Sequence, residues 1–209
     1  MSIAKEGYPL ILTATALAIL AFLTGWQVVG IVLGLATLAV AAFFRDPERN
    51  VPTGDGLIVS PADGRIVSIA EVQGDSAFGD AVMRVSIFLS PFDVHINRMP
   101  VAGRIDDVRY EAGKFLAAYK EEASHRNERN SLKIVDNDGR SLGVVQIAGV
   151  VARRIVCRVK PGDRLARGDR LGLIMFGSRT DTYLPRGCHI KVVEGQKVKG
   201  GETILGSFV

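Results

Sequence analysis

Cysteine, histidine and tryptophan are scarce in this 209-residue chain, at two, three and one. Cys157 and Cys188 are too few to frame a disulfide scaffold, and their spacing is not that of a metal centre. Both are read as small buried thiols, and no metal is expected. Aromatic residues make up 7% of the chain and no basic strip is interleaved with them, so no nucleic-acid partner is expected. The most informative absence is charge, which is missing from Tyr8 through Phe44.

An apolar run of that length exceeds the ~20 residues that cross a bilayer once. It breaks at Thr24-Gly25-Trp26-Gln27. The pattern predicts a helical membrane hairpin within residues 1–50, with Gly25 turning and Trp26 suited to an interface. Each arm is short for a crossing, so a shallow or tilted hairpin is the alternative. A cleaved signal peptide fits poorly, because the run ends in Phe43-Phe44-Arg45-Asp46-Pro47 and not at a small-residue site. Arg45 and Arg49 favour a cell-membrane protein whose remaining domain faces the cytoplasm. The formal charge of +4 lies wholly outside the run and suits an anionic membrane surface or substrate.

Beyond residue 51 the chain turns to short β-branched segments punctuated by Gly, Asp and Pro, which predicts a mainly β domain over 51–209. Only residues 111–123 read as helical. Pro161-Gly162-Asp163-Arg164-Leu165 is echoed by Glu194-Gly195-Gln196-Lys197-Val198, and Gly168-Asp169-Arg170-Leu171 by Gly201-Glu202-Thr203-Ile204. Units of this kind occur in biotinyl/lipoyl-type domains and predict a compact β-sandwich or flattened barrel. Two copies do not make a solenoid.

Three polar residues carry the chemistry: Asp63 in SPADGRI, His95 in SPFDVHINRMP and Ser178 in MFGSRTDTYLP. A serine is a poor nucleophile until a base takes its proton, and the base needs an acceptor that fixes its tautomer. Blander roles compete. Asp63-Gly64 is a good turn pair. His95 sits among Val94, Ile96 and Met99 as a core histidine would, and Gly177-Ser178 has an ordinary counterpart in Gly206-Ser207.

SPADGRI, FLSPFDVHINRMPVAGRI, HRNERNSLKI, GVVQIAGVVARRI and GLIMFGSRTDTYLP, in this order, resemble phosphatidylserine decarboxylase proenzymes. The likeness is to the short form with FGSR at the processing site, and EGYP and FFRDPER flank the apolar run in the same way. The resemblance implies that His95, oriented by Asp63, deprotonates Ser178, whose oxygen attacks the Gly177 carbonyl. Cleavage would leave a β chain of 1–177 and an α chain of 178–209, paired as a heterodimer. Residue 178 would become a pyruvoyl group, the only cofactor, which condenses with the amine of phosphatidylserine and takes up the electrons freed by loss of carbon dioxide. Arg129 and Asn130 in NERN, together with Arg126, Arg153, Arg154 and Arg179, are candidates for the anionic headgroup in membrane lipid.

Other classes leave something unexplained. A serine hydrolase would carry G-x-S-x-G, which is lacking around Ser178. A biotinyl/lipoyl-like carrier needs a modifiable lysine at a hairpin tip, and Lys160 and Lys197 lack the usual flanks. A membrane scaffold leaves FGSR and HINR without a role.

Overall fold

The computed structural model describes residues 2–72, 78, 81–116, 126–149, 154–175 and 177–208. It divides into two compact units, Met1–Glu48 and Arg49–Val209.

In the first unit β1 (Ser2–Ile3) and a 3-10 turn at Lys5–Gly7 lead into α1 (Tyr8–Leu23), which is followed by α2 (Gln27–Phe43) and β2 (Arg45–Asp46). Pro9 sits in the first turn of α1, where its missing N–H costs nothing. Gly25 separates the helices with φ +82°. Around it Thr24 Oγ1 donates to the Leu20 carbonyl at 2.9 Å and the Trp26 N–H to that of Ala21 at 2.8 Å. The base is closed by antiparallel pairing of Ser2 with Asp46 and Ile3 with Arg45. Both ends of the hairpin therefore lie together. The stretch Lys5–Leu23 is long and apolar enough to cross a membrane. At ~1.5 Å per residue α2 spans only about 25 Å.

The second unit is built of strands. They are β3 (Leu57–Val59), β4 (Gly64–Glu71), β5 (Ala81–Leu89), β6 (Ile96–Arg98), β7 (Gly103–Glu111), β8 (Arg129–Asp136) and β9 (Ser141–Ile147). There follow β10 (Ile155–Cys157), β11 (Arg164–Leu165), β12 (Arg170–Ile174), β13 (Ser178–Pro185), β14 (Cys188–Ile190), β15 (Lys197–Val198) and β16 (Ile204–Phe208). Eight of them form one antiparallel sheet in the order β11-β7-β8-β9-β13-β5-β4-β15. Two three-stranded sheets, β10-β12-β6 and β14-β16-β3, complete the unit. The main core draws Ile66, Ile87, Leu132 and Leu184 from the large sheet, and Ile58, Leu171 and Leu205 from the small ones. Alternation along β8 turns Leu132 and Ile134 into this core. The sheet stays open, ending at β11 and β15, so the flattened barrel suggested by the strand pattern is corrected. Helix over 111–123 is corrected as well where it is described: Glu111 ends β7, and 112–116 carry none; 117–125 lie outside the described residues.

The strand orders reveal an internal two-fold repeat. Reading the large sheet from either edge gives matching partners: β11 with β15, β7 with β4, β8 with β5, β9 with β13. The small sheets match in the same sense. Bulges fall between Ile66 and Ser68 in β4 and between Ile105 and Asp107 in β7. Gly195 donates to the Ile66 carbonyl at 2.8 Å, and Gly162 to that of Ile105 at 2.8 Å. The echo around residues 161 and 194 is thus half of a larger duplication. Its other half is the pair Pro61-Ala62-Asp63-Gly64-Arg65-Ile66 and Pro100-Val101-Ala102-Gly103-Arg104-Ile105, which pattern reading overlooked.

Gly64 is required by close approach, since a Cβ there would sit 2.1 Å from the Phe88 carbonyl oxygen. Gly64→Ala should cost about 3 kcal/mol or more. At Gly139 (φ +85°) a Cβ meets no described atom within 4 Å, so Gly139→Ala should cost only about 1–2 kcal/mol. Thermal denaturation of the two variants in detergent would check the contrast.

Candidate active site

Ser178 opens β13 and pairs with Leu89, the last residue of β5. On the other side Arg179 pairs with Ile147, so Ala148 stands next to Ser178. Ser178 is fully buried, and its Oγ has no hydrogen-bond partner among the described residues. Leaving a buried hydroxyl unpaired costs about 1–3 kcal/mol, so this atom calls for a reason. Gly177 before it has φ +63°, the left-handed region. No described atom lies within 4 Å of where its Cβ would be. The backbone angle demands the glycine here, not lack of room.

His95 reaches the same end of the sheet. Its carbonyl accepts from the Ile174 N–H at 3.3 Å, four residues before Ser178. Two residues beyond His95, Asn97 Nδ2 donates to Thr180 Oγ1 at 3.0 Å, two residues beyond Ser178. Histidine and serine are therefore bracketed by shared contacts on both sides. His95 is almost wholly buried, with Nδ1 2.9 Å from the Asp93 carbonyl. A carbonyl can only accept, so Nδ1 carries the proton and Nε2 keeps the lone pair of a base.

Asp63 lies one residue before β4, beside the same end of β5, since Arg65 pairs with Phe88. Its turn also touches β6, where the Arg98 N–H donates to the Pro61 carbonyl at 2.8 Å. The carboxylate accepts from Arg49 at 2.8 and 3.0 Å and from the Gly200 N–H at 2.7 Å. None of the hydrogen bonds described for this carboxylate goes to His95, whose ring meets the Asp93 carbonyl. Burial pushes the Asp63 carboxyl above its ordinary range, against the pull of Arg49 and the Gly200 N–H, and the nearby Asp93 charge adds to the rise. Asp63 is not needed for its turn, because Ala102 holds the matching place in the other half of the repeat.

The remaining candidates separate. Asn130 is buried, donating through Nδ2 to Gln146 Oε1 at 3.0 Å, and Gln146 Nε2 donates to Asn97 Oδ1 at 2.9 Å. It belongs to the interior network that supports Asn97. Arg179 is buried on the opposite face of β13 from Ser178, with Nε 2.6 Å from Asp181 and a terminal nitrogen 2.7 Å from Ser86. Arg129 pairs with Glu111 at 2.5 Å and holds that carboxyl below its ordinary range. Arg154 is exposed at the end where Ser178 lies, its carbonyl accepting from the Met175 N–H at 3.1 Å. Arg126 is exposed too, and Arg153 lies outside the described residues. Sequence reading missed Arg49, Asp93, Asn97 and Thr180 as site residues. All four stood in quoted segments, FFRDPER, FDVHINRMP and GLIMFGSRTDTYLP, but only a contact distinguishes them from ordinary exposed polar residues. Cys157 and Cys188 are free and half-buried, and burial pushes the Cys188 thiol up to about 11.

Known proteins resemble this chain over most of its length. The family model described as phosphatidylserine decarboxylase matches residues 36–206. A phosphatidylserine decarboxylase proenzyme of Symbiobacterium thermophilum is 48% identical over 98% of this chain and 94% of its own. One from Gluconobacter oxydans is 49% identical over 98% and 93%. One from Nitrosomonas eutropha is 47% identical over 99% and 95%.

The Asn97–Thr180 contact sets a test of the bracket. Thr180→Val removes the acceptor for a fully buried amide and should destabilise the second unit by about 1–3 kcal/mol. Thr180→Ser keeps the hydroxyl and should cost only about 1 kcal/mol for the lost methyl. Denaturant titration of both would show the difference.

Proposed function

Since the chain belongs to the phosphatidylserine decarboxylase family, and is by that membership an enzyme, we propose that it cuts itself between Gly177 and Ser178 and then converts phosphatidylserine to phosphatidylethanolamine. The observation that carries this reading is the buried Oγ of Ser178, without a hydrogen-bond partner among the described residues, set behind a left-handed Gly177 at the end of the sheet near His95.

In maturation His95 Nε2 takes the Ser178 hydroxyl proton as Oγ attacks the Gly177 carbonyl carbon. The C–N bond breaks, the nitrogen regains a proton, and an ester replaces the amide. Loss of the Ser178 α-proton expels the Gly177 carboxylate and leaves a dehydroalanine at 178. One water then displaces ammonia, giving an N-terminal pyruvoyl group. Asp63 supports the imidazolium by its charge rather than by a direct bond. A left-handed Gly177 helps present its carbonyl without a side chain in the way.

Ser178 fits as the source of the cofactor, because its side chain is fully buried and has no hydrogen-bond partner to displace among the described residues. The pyruvoyl group supplies a ketone that takes up the electron pair freed when carbon dioxide leaves. His95 is then placed to return a proton to the α-carbon. Arg154 and Arg126, with Arg129 and Arg153, are the cations proposed for the headgroup, whereas Arg179 serves the interior through Asp181. After cleavage β13 stays between β5 and β9 by its ladders, so the pieces 1–177 and 178–209 remain one heterodimer. The apolar hairpin keeps the enzyme at the cell membrane where its lipid resides, with Arg45 favouring the cytoplasmic side.

Intact mass of the denatured protein should show two separate pieces, one ending at Gly177 and the smaller one beginning at position 178 with a blocking pyruvoyl group. Ser178→Ala should remain one inactive chain. An active preparation consisting only of uncut chain would refute the scheme. Asp63→Asn should slow self-cleavage by about 10²-fold, less than the ~10⁴ of a directly bonded triad aspartate.

The pH dependence follows from Arg49. Burial already raises the Asp63 carboxyl, and Arg49 opposes the rise. Arg49→Met removes that opposition, so ionising Asp63 requires a higher pH. The acidic limb of the self-cleavage rate should move upward in pH in this variant, as read by the fraction cleaved against time across a pH series.

A further inference from the structure

We propose that the Pro91-Phe92 turn is a lipid-inserting tip that seats the catalytic end of the β domain on an anionic bilayer interface. The proposal rests on the lipid-substrate reading above and adds the surface that meets the lipid.

Phe92 is 87% exposed, the most exposed large hydrophobic side chain among the described residues. Its turn is fixed from within. Asp93 Oδ2 accepts from the Ser90 N–H at 2.8 Å and from Ser90 Oγ at 2.7 Å, and the Asp93 N–H donates to the Ser90 carbonyl at 2.9 Å. The ring is thus presented by a tied turn. Leu89, which pairs with Ser178, lies three residues before it, and His95 three residues after it.

Other exposed groups gather at this end. Phe115 is 37% exposed. Its neighbour Leu116 donates to Asn127 Oδ1 at 2.9 Å, and Asn127 Nδ2 donates to the carbonyl of Ala148, beside Ser178, at 2.7 Å. Arg126 and Arg154 are exposed at the same end. The two-fold repeat supplies a comparison. The matching end holds a cavity of about 720 Å³ lined by Asp55, Asp136 and Asp138 beside Arg140 and Arg167. Exposed aromatic rings together with exposed arginines at the catalytic end suit docking of that end on anionic lipid. A diacyl substrate keeps its chains in the bilayer, so its headgroup must be met there. Seating Phe92 in the interface would recover much of the ~1.5–3 kcal/mol of burying a large apolar side chain.

The chain has a single tryptophan, Trp26. Trp26→Phe combined with Phe92→Trp therefore gives a full-length protein whose tryptophan emission reports on position 92. In vesicles of phosphatidylserine and phosphatidylcholine with brominated acyl chains, that emission should shift blue and be quenched. Emission that stays aqueous and insensitive to bromine overturns the proposal. So does emission that is blue-shifted in vesicles yet unquenched by the brominated chains, which would mean a protein partner or a second copy covers the ring. In a second arm, Phe92→Ser should self-cleave fully and keep turnover of a short-chain soluble phosphatidylserine, while turnover of vesicle-embedded phosphatidylserine falls by about tenfold or more. Equal turnover on vesicles, or equal loss on both substrates, overturns it. Failure of the parent enzyme on both substrates would refute the decarboxylase reading alone, and the bromine arm would still decide the tip.

Discussion

The backbone pairing of Ser178 with Leu89 is the interaction on which the rest of the site depends. It fixes the first residue of β13 at the end of β5, where the loop to His95 begins and where Asp63 stands one strand away. Loop residues hold chemistry well only when a rigid scaffold fixes both ends. Here the scaffold acts twice, through the ladder at Leu89 and through the side-chain contact of Asn97 with Thr180. Between these ties a serine hydroxyl is kept buried, with no partner among the described residues. The cohesion of the surrounding sheet offsets that cost.

The internal repeat separates framework from chemistry. By strand register Gly139-Arg140 stands where Gly177-Ser178 stands, and Gly139 is also left-handed. Ala102 stands where Asp63 does. A left-handed glycine entering a central strand is therefore part of the framework, whereas the serine and the aspartate belong to one end only. At the matching end Arg140 pairs with Asp136 at 2.7 Å and lies 3.7 Å from the centre of the Phe208 ring. One half of a near-symmetric fold has thus kept an ordinary β-turn, and the other carries the groups suited to breaking its own backbone.

Much of this was legible in the sequence, for physical reasons. Strands such as β4 and β5 announce themselves because β-branched residues alternate with polar ones. The helix break at Gly25 is a composition signal. Ser178, His95 and Asp63 were visible as polar residues in ordered motifs. Their mutual geometry was not. Arg49 lies 14 positions from Asp63 and Asn97 lies 83 from Thr180, and no local pattern encodes which amide meets which hydroxyl. The same limit hides the burial of Arg179: a strand arginine facing a buried aspartate looks like a surface arginine until the face is known. The flattened barrel came from repeats seen without their partners, since sheet closure is a matter of long-range pairing.

The central claim is that Ser178 Oγ, and no external protease, opens the chain through an ester at Gly177. Hydroxylamine attacks esters but spares ordinary peptide bonds. Added while newly made wild-type chain matures, it should divert part of the product into a fragment ending in a Gly177 hydroxamate and a partner beginning with free Ser178. Mass spectrometry of both termini reads this directly. Complete processing with no hydroxamate at Gly177 under the same treatment would contradict the claim.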